Sequence, residues 1–420
     1  MSDRLRTSRR AYLKTIGVAG AAGITGLSGC IGGLTGGGGP IPMGSILPIT
    51  GALSDYGSGM QAAVQLAEKH INDAGGPLGR EIKVSYKDSE TKADVGQQKY
   101  SSLVNEDNIL GFVGAASSGV STPIAEGVAD DEVMQMSNAS TSPALANIGY
   151  NSDKSVKYFG RTAPNDAQQG TVMGMIMGDG KYIGADKAAF LYVDNPYGEG
   201  LANKAEAAFQ GETLQKVGYA QQTNDYTSTL DKLFQGDPQA IGFIGYPGNG
   251  KTILKQWNDG GYGGEWVLSE GLNSAKFFNE MKDVTNGMYV SSPDPEQTTG
   301  ASIYQQDIGS KDTLFAPHAY DGMFLMALAM HKAGEASGTA IAKNIQSVSR
   351  EGEVVTVGEF EKAKNLLDDG TDINYQGASS PVDLNDALEP LNQFAVLQVA
   401  KDGDKYATKK LETIPRSAFQ

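Results

Sequence analysis

The residues that can do chemistry in this chain cluster at a few turns. Residues 109–113 and 133–136 are short apolar runs. Each stops in small hydroxylated residues, GAASS at 114–118 and SNAST at 137–141. An apolar run that ends in Gly, Ser and Thr and turns into a helix is the carboxyl end of a parallel strand. Exposed N–H groups and hydroxyls there converge on an anion, so Ser118, Ser140 and Thr141 form a place for a carboxylate. Glu270 ends the run 266–269 and suits an ammonium group if it faces a cleft. Tyr56, Tyr197 and Tyr246 each stand at a turn beside a strand or helix, where an aromatic face with a polar tip can wall a ligand pocket. A plainer reading stands beside each: N-cap serines, a solvated glutamate and half-exposed packing tyrosines.

Other chemistries fit less well. The chain has three histidines and one cysteine, so an internal disulfide is impossible and a Cys/His metal site has almost nothing to draw on. His70 and His331 fall in helical patterns. His318 precedes a helix, and no Ser/His/Asp arrangement accompanies it. Residues 245–252, GYPGNGKT, match a phosphate-loop pattern between a strand and a helix, and Asp194 at a strand end is where such a site would hold Mg²⁺. Pro247 removes a backbone donor from that loop, so a tight turn feeding a helix is preferred to a nucleotide-binding enzyme. Acidic runs at 126–132 and 368–372 read as solvated turns. No cofactor, no metal and no catalysis are expected.

The elements that must position these residues alternate. Strands are predicted at 45–49, 82–86, 109–113, 133–136, 158–161, 188–193, 214–219, 240–244, 266–269 and 288–291. Helices are predicted at 60–72, 95–104, 201–209, 227–233 and 252–257, then at 319–333, 340–348 and 360–367, and 393–411 reads as a hairpin. The pattern predicts an α/β protein of two doubly wound parallel-sheet lobes. With 420 residues and 40% hydrophobic content the chain can fill two cores. A net charge of −15 argues against nucleic acid as a partner.

The amino-terminal segment is an address. Residues 8–14 carry paired arginines, a weakly apolar Gly/Ala run follows, and residues 27–30 read LSGC. The arginines resemble a twin-arginine export signal and LSGC resembles a lipobox, so residues 1–30 form a signal and Cys30 is the expected lipidation site. Residues 31–43 form a glycine-rich tether that holds the body at the outer face of the cell membrane.

An ordered set of segments then resembles one family. They are LPITG at 47–51, INDAGG at 71–76, RTAPND at 161–166, YGEG at 197–200, SEG at 269–271 and FAVLQ at 394–398. The set is similar to the exported leucine/isoleucine/valine-binding proteins that feed branched-chain amino-acid ABC transporters. The resemblance implies the type I periplasmic-binding-protein fold, with the ligand in a cleft between two lobes. Three hinge crossings are implied near 161–164, 291–293 and 384–392. The lobes would be 44–162 with 293–385, and 163–292 with 386–420. Carried over, Ser118 and Thr141 match carboxylate-binding positions, with Ser140 contributing backbone. Glu270 matches the ammonium partner, and Tyr56, Tyr197 and Tyr246 match aromatic positions around the ligand. Ser117 stands where well-known members carry Cys, and Tyr246 is followed by Pro-Gly rather than a second aromatic. The family also includes binders of amides, urea and aromatic acids. The implied protein is a monomeric, lipid-anchored receptor that hands its solute to a permease. A sensor lobe reporting to a signalling partner is the alternative.

Overall fold

The computed structural model of the chain describes residues 38–419. The expected export signal at 1–30, Cys30 and the first part of the tether lie outside the described residues. The tether ends earlier than predicted, because residues 41–43 already belong to a strand.

The chain begins with β1 (Ile41–Leu47), α1 (Ser54–Asp73), β2 (Ile82–Asp88), α2 (Ala93–Asn105), β3 (Gly111–Gly114), α3 (Ser118–Ala125), β4 (Met134–Ser137) and β5 (Phe159–Arg161). These strands form one sheet in the order β2-β1-β3-β4-β5, parallel throughout. The first crossing leads into α4 (Asp166–Gly178). The second lobe follows with β6 (Lys187–Val193), α5 (Pro196–Ala208), β7 (Glu212–Tyr219), α6 (Thr227–Leu233), β8 (Ala240–Ile244), α7 (Pro247–Gly260), β9 (Glu265–Leu268), α8 (Ala275–Met281) and β10 (Tyr289–Pro293). The chain then supplies α9 (Thr299–Ile308), α10 (Ala316–Ala333), α11 (Gly338–Asn344), β11 (Glu353–Thr356), α12 (Phe360–Asp368) and β12 (Ile373–Gln376). Helix α10 packs on α1, α11 and α12, and so returns to the first lobe. The tail hairpin, β13 (Phe394–Asp402) and β14 (Lys405–Ile414), completes a seven-stranded sheet in the order β14-β13-β10-β9-β8-β6-β7. That sheet is mixed rather than wholly parallel, since β13 runs antiparallel to β10 and β14 to β13.

Burial explains which elements the sequence announced. All five residues of β8, AIGFI, are buried, as a central parallel strand covered on both faces requires. Helix α10 is buried continuously from Ala316 to Met330, so it is apolar nearly all round and shows little stripe. Helix α4 was not predicted. Its sequence, DAQQGTVMGMIMG, is also apolar on several faces. Gly170 and Gly174 let it lie directly on α5: a Cβ on Gly170 would come within 2.3 Å of Lys204, and one on Gly174 within 2.7 Å of the Ala205 carbonyl oxygen. The two-stranded sheet of β11 and β12 was also missed, as was α9.

Both sheets begin with the strand order 2-1-3-4-5. In each, the first strand lies between two strands whose connections run to opposite sides, which opens a crevice at the carboxyl ends. The two crevices supply the two walls of the site.

Candidate functional site

The first wall is built from the loops after β3 and β4. Its hydroxyls serve mainly to hold one backbone oxygen. Ser121, Ser137 and Ser140 donate to the Ala115 carbonyl at 3.0, 2.6 and 3.0 Å. Ser140 also bonds Ser121 at 2.8 Å. Ser118 opens α3, and its Oγ accepts the Ser142 N–H at 3.2 Å, which ties the two loops together. Thr141 donates its hydroxyl to Asp166 Oδ2 at 2.9 Å, while the Asp166 N–H donates to the Thr141 carbonyl at 2.9 Å.

The second wall comes from the ends of β6, β8 and β9. Asn195 caps α5 by accepting from the N–H groups of Tyr197 and Gly198, both at 3.0 Å, which fixes Tyr197 at the mouth of the helix. The Tyr197 and Tyr246 rings stack, with centroids 5.5 Å apart and planes 11° apart. Glu270 opens a single 3₁₀ turn after β9 and is 2% exposed. Its Oε2 accepts from Gln169 Nε2 at 2.5 Å and from the Tyr197 hydroxyl at 2.9 Å. Burial pushes the Glu270 carboxyl up to about 7, against the pull of those two donors. Burial also pushes Asp166 well above the carboxylate range, with the Glu270 charge adding to it. The tyrosine hydroxyls of Tyr56, Tyr197 and Tyr246 are pushed up by burial and stay neutral donors.

The walls meet across the cleft. The Tyr56 hydroxyl donates to the Gly271 carbonyl at 3.1 Å, and the Ser117 and Tyr246 hydroxyls bond at 3.0 Å. Asp55 accepts from Ser274 at 2.8 Å and from Lys276 at 2.9 Å. Between the walls lies a cavity lined by Ser118, Tyr56, Tyr197, Tyr246 and Glu270 among the predicted residues. Its free space is about 20 Å³, room for roughly one water molecule. A solute the size of an amino acid therefore enters only when the walls part.

Two pairs of alternatives are decided, and one expectation changes. The tyrosines are not half-exposed packing residues, since each is 3% exposed and lines the cavity. Ser140 and Thr141 do not line the cavity; they follow its Ala139 and spend their hydroxyl protons on Ala115 and Asp166. The phosphate-loop motif is not a cradle. Its helix begins at Pro247, the Gly248 N–H donates to Ala52, the Gly250 N–H to Tyr246, and Lys251 pairs with Glu280. The histidines take no part in the cavity. His70 bonds Tyr320 at 2.8 Å and His331 accepts from the Leu78 N–H at 3.1 Å. His318 lies inside the first turn of α10 rather than ahead of it, and its ring packs edge-on against Phe315.

Several lining or supporting residues were missed. Leu53, Met60, Ala116, Ala139, Leu314 and Phe315 give the cavity an apolar side. Phe315 takes a left-handed φ of 61° at the start of α10, and Asn138 Nδ2 donates to its carbonyl at 3.3 Å. Asp166 and Gln169 had a usable signal, an acid and an amide at i and i+3 in the first turn of a helix leaving the first crossing.

A family model described as periplasmic binding protein matches residues 40–366. The chain belongs to the periplasmic binding proteins, in the leucine/isoleucine/valine-binding family. It is 35% identical over 371 residues to the chemotactic signal transduction system substrate-binding protein BasB of Halobacterium salinarum, covering 87% of this chain and 88% of that one. It is 25% identical over 325 residues to a leucine-, isoleucine-, valine-, threonine- and alanine-binding protein of Pseudomonas aeruginosa, covering 75% and 84%. A leucine-binding protein of Thermotoga maritima, LivK, shares the fold with a TM-score of 0.74 at 18% identity, covering 90% of this chain and 99% of that one. This periplasmic binding protein is therefore an extracytoplasmic solute-binding protein, and its family and fold are those of solute binders rather than enzymes. Among the described residues, no helix is long and apolar enough to cross a membrane.

Proposed function

We propose that the protein captures a branched-chain or related α-amino acid between its lobes and delivers it to the permease of an ABC transporter. The observation that carries this reading is one buried acid, Glu270, lining the same small cavity as the helix-opening Ser118 and a stacked tyrosine pair. The solute carboxylate would lie at Ser118 and the amino-terminal end of α3, with the Thr141 N–H of the neighbouring loop as a further donor, while the Ser140 N–H is held by the Ser137 hydroxyl oxygen at 3.0 Å. The ammonium would lie at Glu270, with Thr141 Oγ1 available as an acceptor while its proton is on Asp166. The side chain would lie against Leu53, Met60, Leu314 and Phe315.

Hydrogen bonds to a charged group contribute about 1.5–3 kcal/mol each. Three or four of them reach about −8 kcal/mol, a micromolar affinity. Lobes 44–162 with 293–385, and 163–292 with 386–420, would each contribute one wall, so the solute favours the closed arrangement. Lipid attachment at Cys30 and a monomeric state complete the reading.

A second reading, a sensor lobe that reports to a signalling partner, is favoured by the similarity to the chemotactic signal transduction system substrate-binding protein of Halobacterium salinarum. A thermal-shift screen over amino acids, amides, urea and aromatic acids tests the solute class, because a ligand that binds the folded state raises Tm. Leucine, isoleucine or valine should give the largest shifts. Shifts only from urea, amides or benzoates would remove the amino-acid reading. Co-purification with a permease rather than a receptor would separate transport from sensing.

A further inference from the structure

Behind the cavity lies a second acid that the binding geometry above uses only indirectly. Asp166 is fully buried at the start of α4, with one oxygen bonded to Thr141 and the other, Oδ1, without a hydrogen-bond partner. A buried carboxylate with an orphan oxygen is costly unless a proton or a cation satisfies it. Its surroundings hold one cation, Arg161, but that guanidinium is committed elsewhere. Its Nε and Nη2 bond Glu389, and Nη1 donates to the carbonyls of Ser140 and Ser142. The other groups that face Asp166 and Glu270 are neutral hydroxyls and an amide: Thr141, Tyr56, Tyr197, Tyr246 and Gln169. Asp166 behind the cavity and Glu270 in its lining are thus two buried acids linked through α4, whose Gln169 bonds Glu270, with no free cation of the protein among the groups named.

We propose that Asp166 is a positioning residue that acts with Glu270 as one proton-holding pair, so that capture of an ammonium-bearing solute at neutral pH expels the shared proton. Before capture, the pair holds one proton and one negative charge. The arriving ammonium supplies the missing cation, the proton leaves to solvent, and the pair becomes doubly ionised around one positive charge. Ionised Asp166 then draws the Thr141 hydroxyl proton toward itself and leaves the Thr141 oxygen as an acceptor for the ammonium. The pair also makes the pocket selective: a neutral amide or urea offers no charge to replace the proton. Two interacting acids titrate as a pair, which is why the proton belongs to both.

This inference rests on the amino-acid reading, so the test has one arm that needs no solute. Infrared spectroscopy of the solute-free protein at pH 7 should show a protonated carboxyl band that shifts or weakens in both Glu270→Gln and Asp166→Asn and is lost when the two substitutions are combined. Absence of that band overturns the proposal. In the second arm, calorimetry with L-leucine in phosphate and in Tris should give different heats, corresponding to release of about one proton per solute at most. The difference should shrink in Asp166→Asn while binding persists. Equal heats in the two buffers with intact binding overturn the proposal. If L-leucine does not bind, the amino-acid reading fails and the infrared arm alone decides the pair.

Discussion

Two buried carboxylates in this protein have opposite surroundings. Asp321, in α10, receives four hydrogen bonds: from the Tyr375 hydroxyl and the Ala378 N–H on Oδ1, and from the Ser379 N–H and hydroxyl on Oδ2, at 2.6–2.8 Å. Burial still raises it to about 6, yet every oxygen is engaged and Asp321 lies outside the cavity lining. Glu270 takes its two side-chain donors on a single oxygen, with the backbone N–H groups of Glu270 and Gly271 adding to their pull, and Asp166 has an oxygen with none. A saturated acid acts as an internal clasp, here pinning the loop after β12 to α10. An under-supplied acid in a cavity is a demand that something else must meet. Burial alone does not mark function; the shortfall of donors does.

Removing the saturated acid should have the largest effect on folding. Asp321→Ala strands four buried donors and should lower stability by more than about 4 kcal/mol in denaturant unfolding. Should Asp321→Ala prove mild while Glu270→Ala unfolds the protein, the comparison would be inverted. Glu270→Ala is expected instead to weaken amino-acid binding by about 2–5 kcal/mol in calorimetry, through the loss of the buried partner for the ammonium. Unchanged affinity would remove Glu270 from the site.

The next effect is a pH dependence. The folded state raises Glu270 from 4.5 to about 7, so it favours the protonated form. Stability from this group is fully present below about pH 4.5 and is lost as pH rises through about 7, an effect of about 3 kcal/mol. Unfolding of the solute-free wild type between pH 4.5 and 8 should therefore show a decline that is smaller in Glu270→Gln, where the raised Asp166 and Asp321 remain. Identical profiles would mean that the carboxyl is not desolvated. The smallest effect concerns the bond between the walls. Ser117→Ala removes one neutral hydrogen bond to Tyr246 and should weaken binding by about 1 kcal/mol, with stability of each lobe unaltered.

What the sequence revealed followed from periodicity and from abrupt endings. The strands β3, β4, β8 and β9 are short apolar runs cut off by Gly, Ser, Tyr or Glu, and those endings are where Ser118, Tyr246 and Glu270 line the cavity. Residues without such a boundary stayed hidden. Asp166 follows Asn165 at a helix start, where acids are common for reasons of capping alone. Asp321 lies within an apolar helix, and its four donors come from residues 54 to 58 positions away. Leu314 and Phe315 belong to a segment that returns from the far side of the second crossing, so no local pattern connects them with Leu53 and Met60. The roles of the hydroxyls were also out of reach. Composition at 114–118 and 137–141 shows that oxygens are present, and only geometry shows that Ser121, Ser137 and Ser140 all point at the Ala115 carbonyl.

Arg161 has a consequence beyond its ion pair. It leaves the first crossing, grips Glu389 on the third, and reaches the carbonyls of Ser140 and Ser142 on the loop after β4. Asn165 Nδ2 adds a second hold on Glu389 at 2.9 Å, and the Arg161 N–H a third, on the Leu388 carbonyl. Two strands of the pivot and one wall of the pocket are therefore set in a single rigid frame. A loop already fixed in its binding shape loses little conformational freedom when the solute arrives. With the solute bound as proposed, more of the contact energy would appear as affinity, and closure would be left to rigid rotation of one lobe on the other.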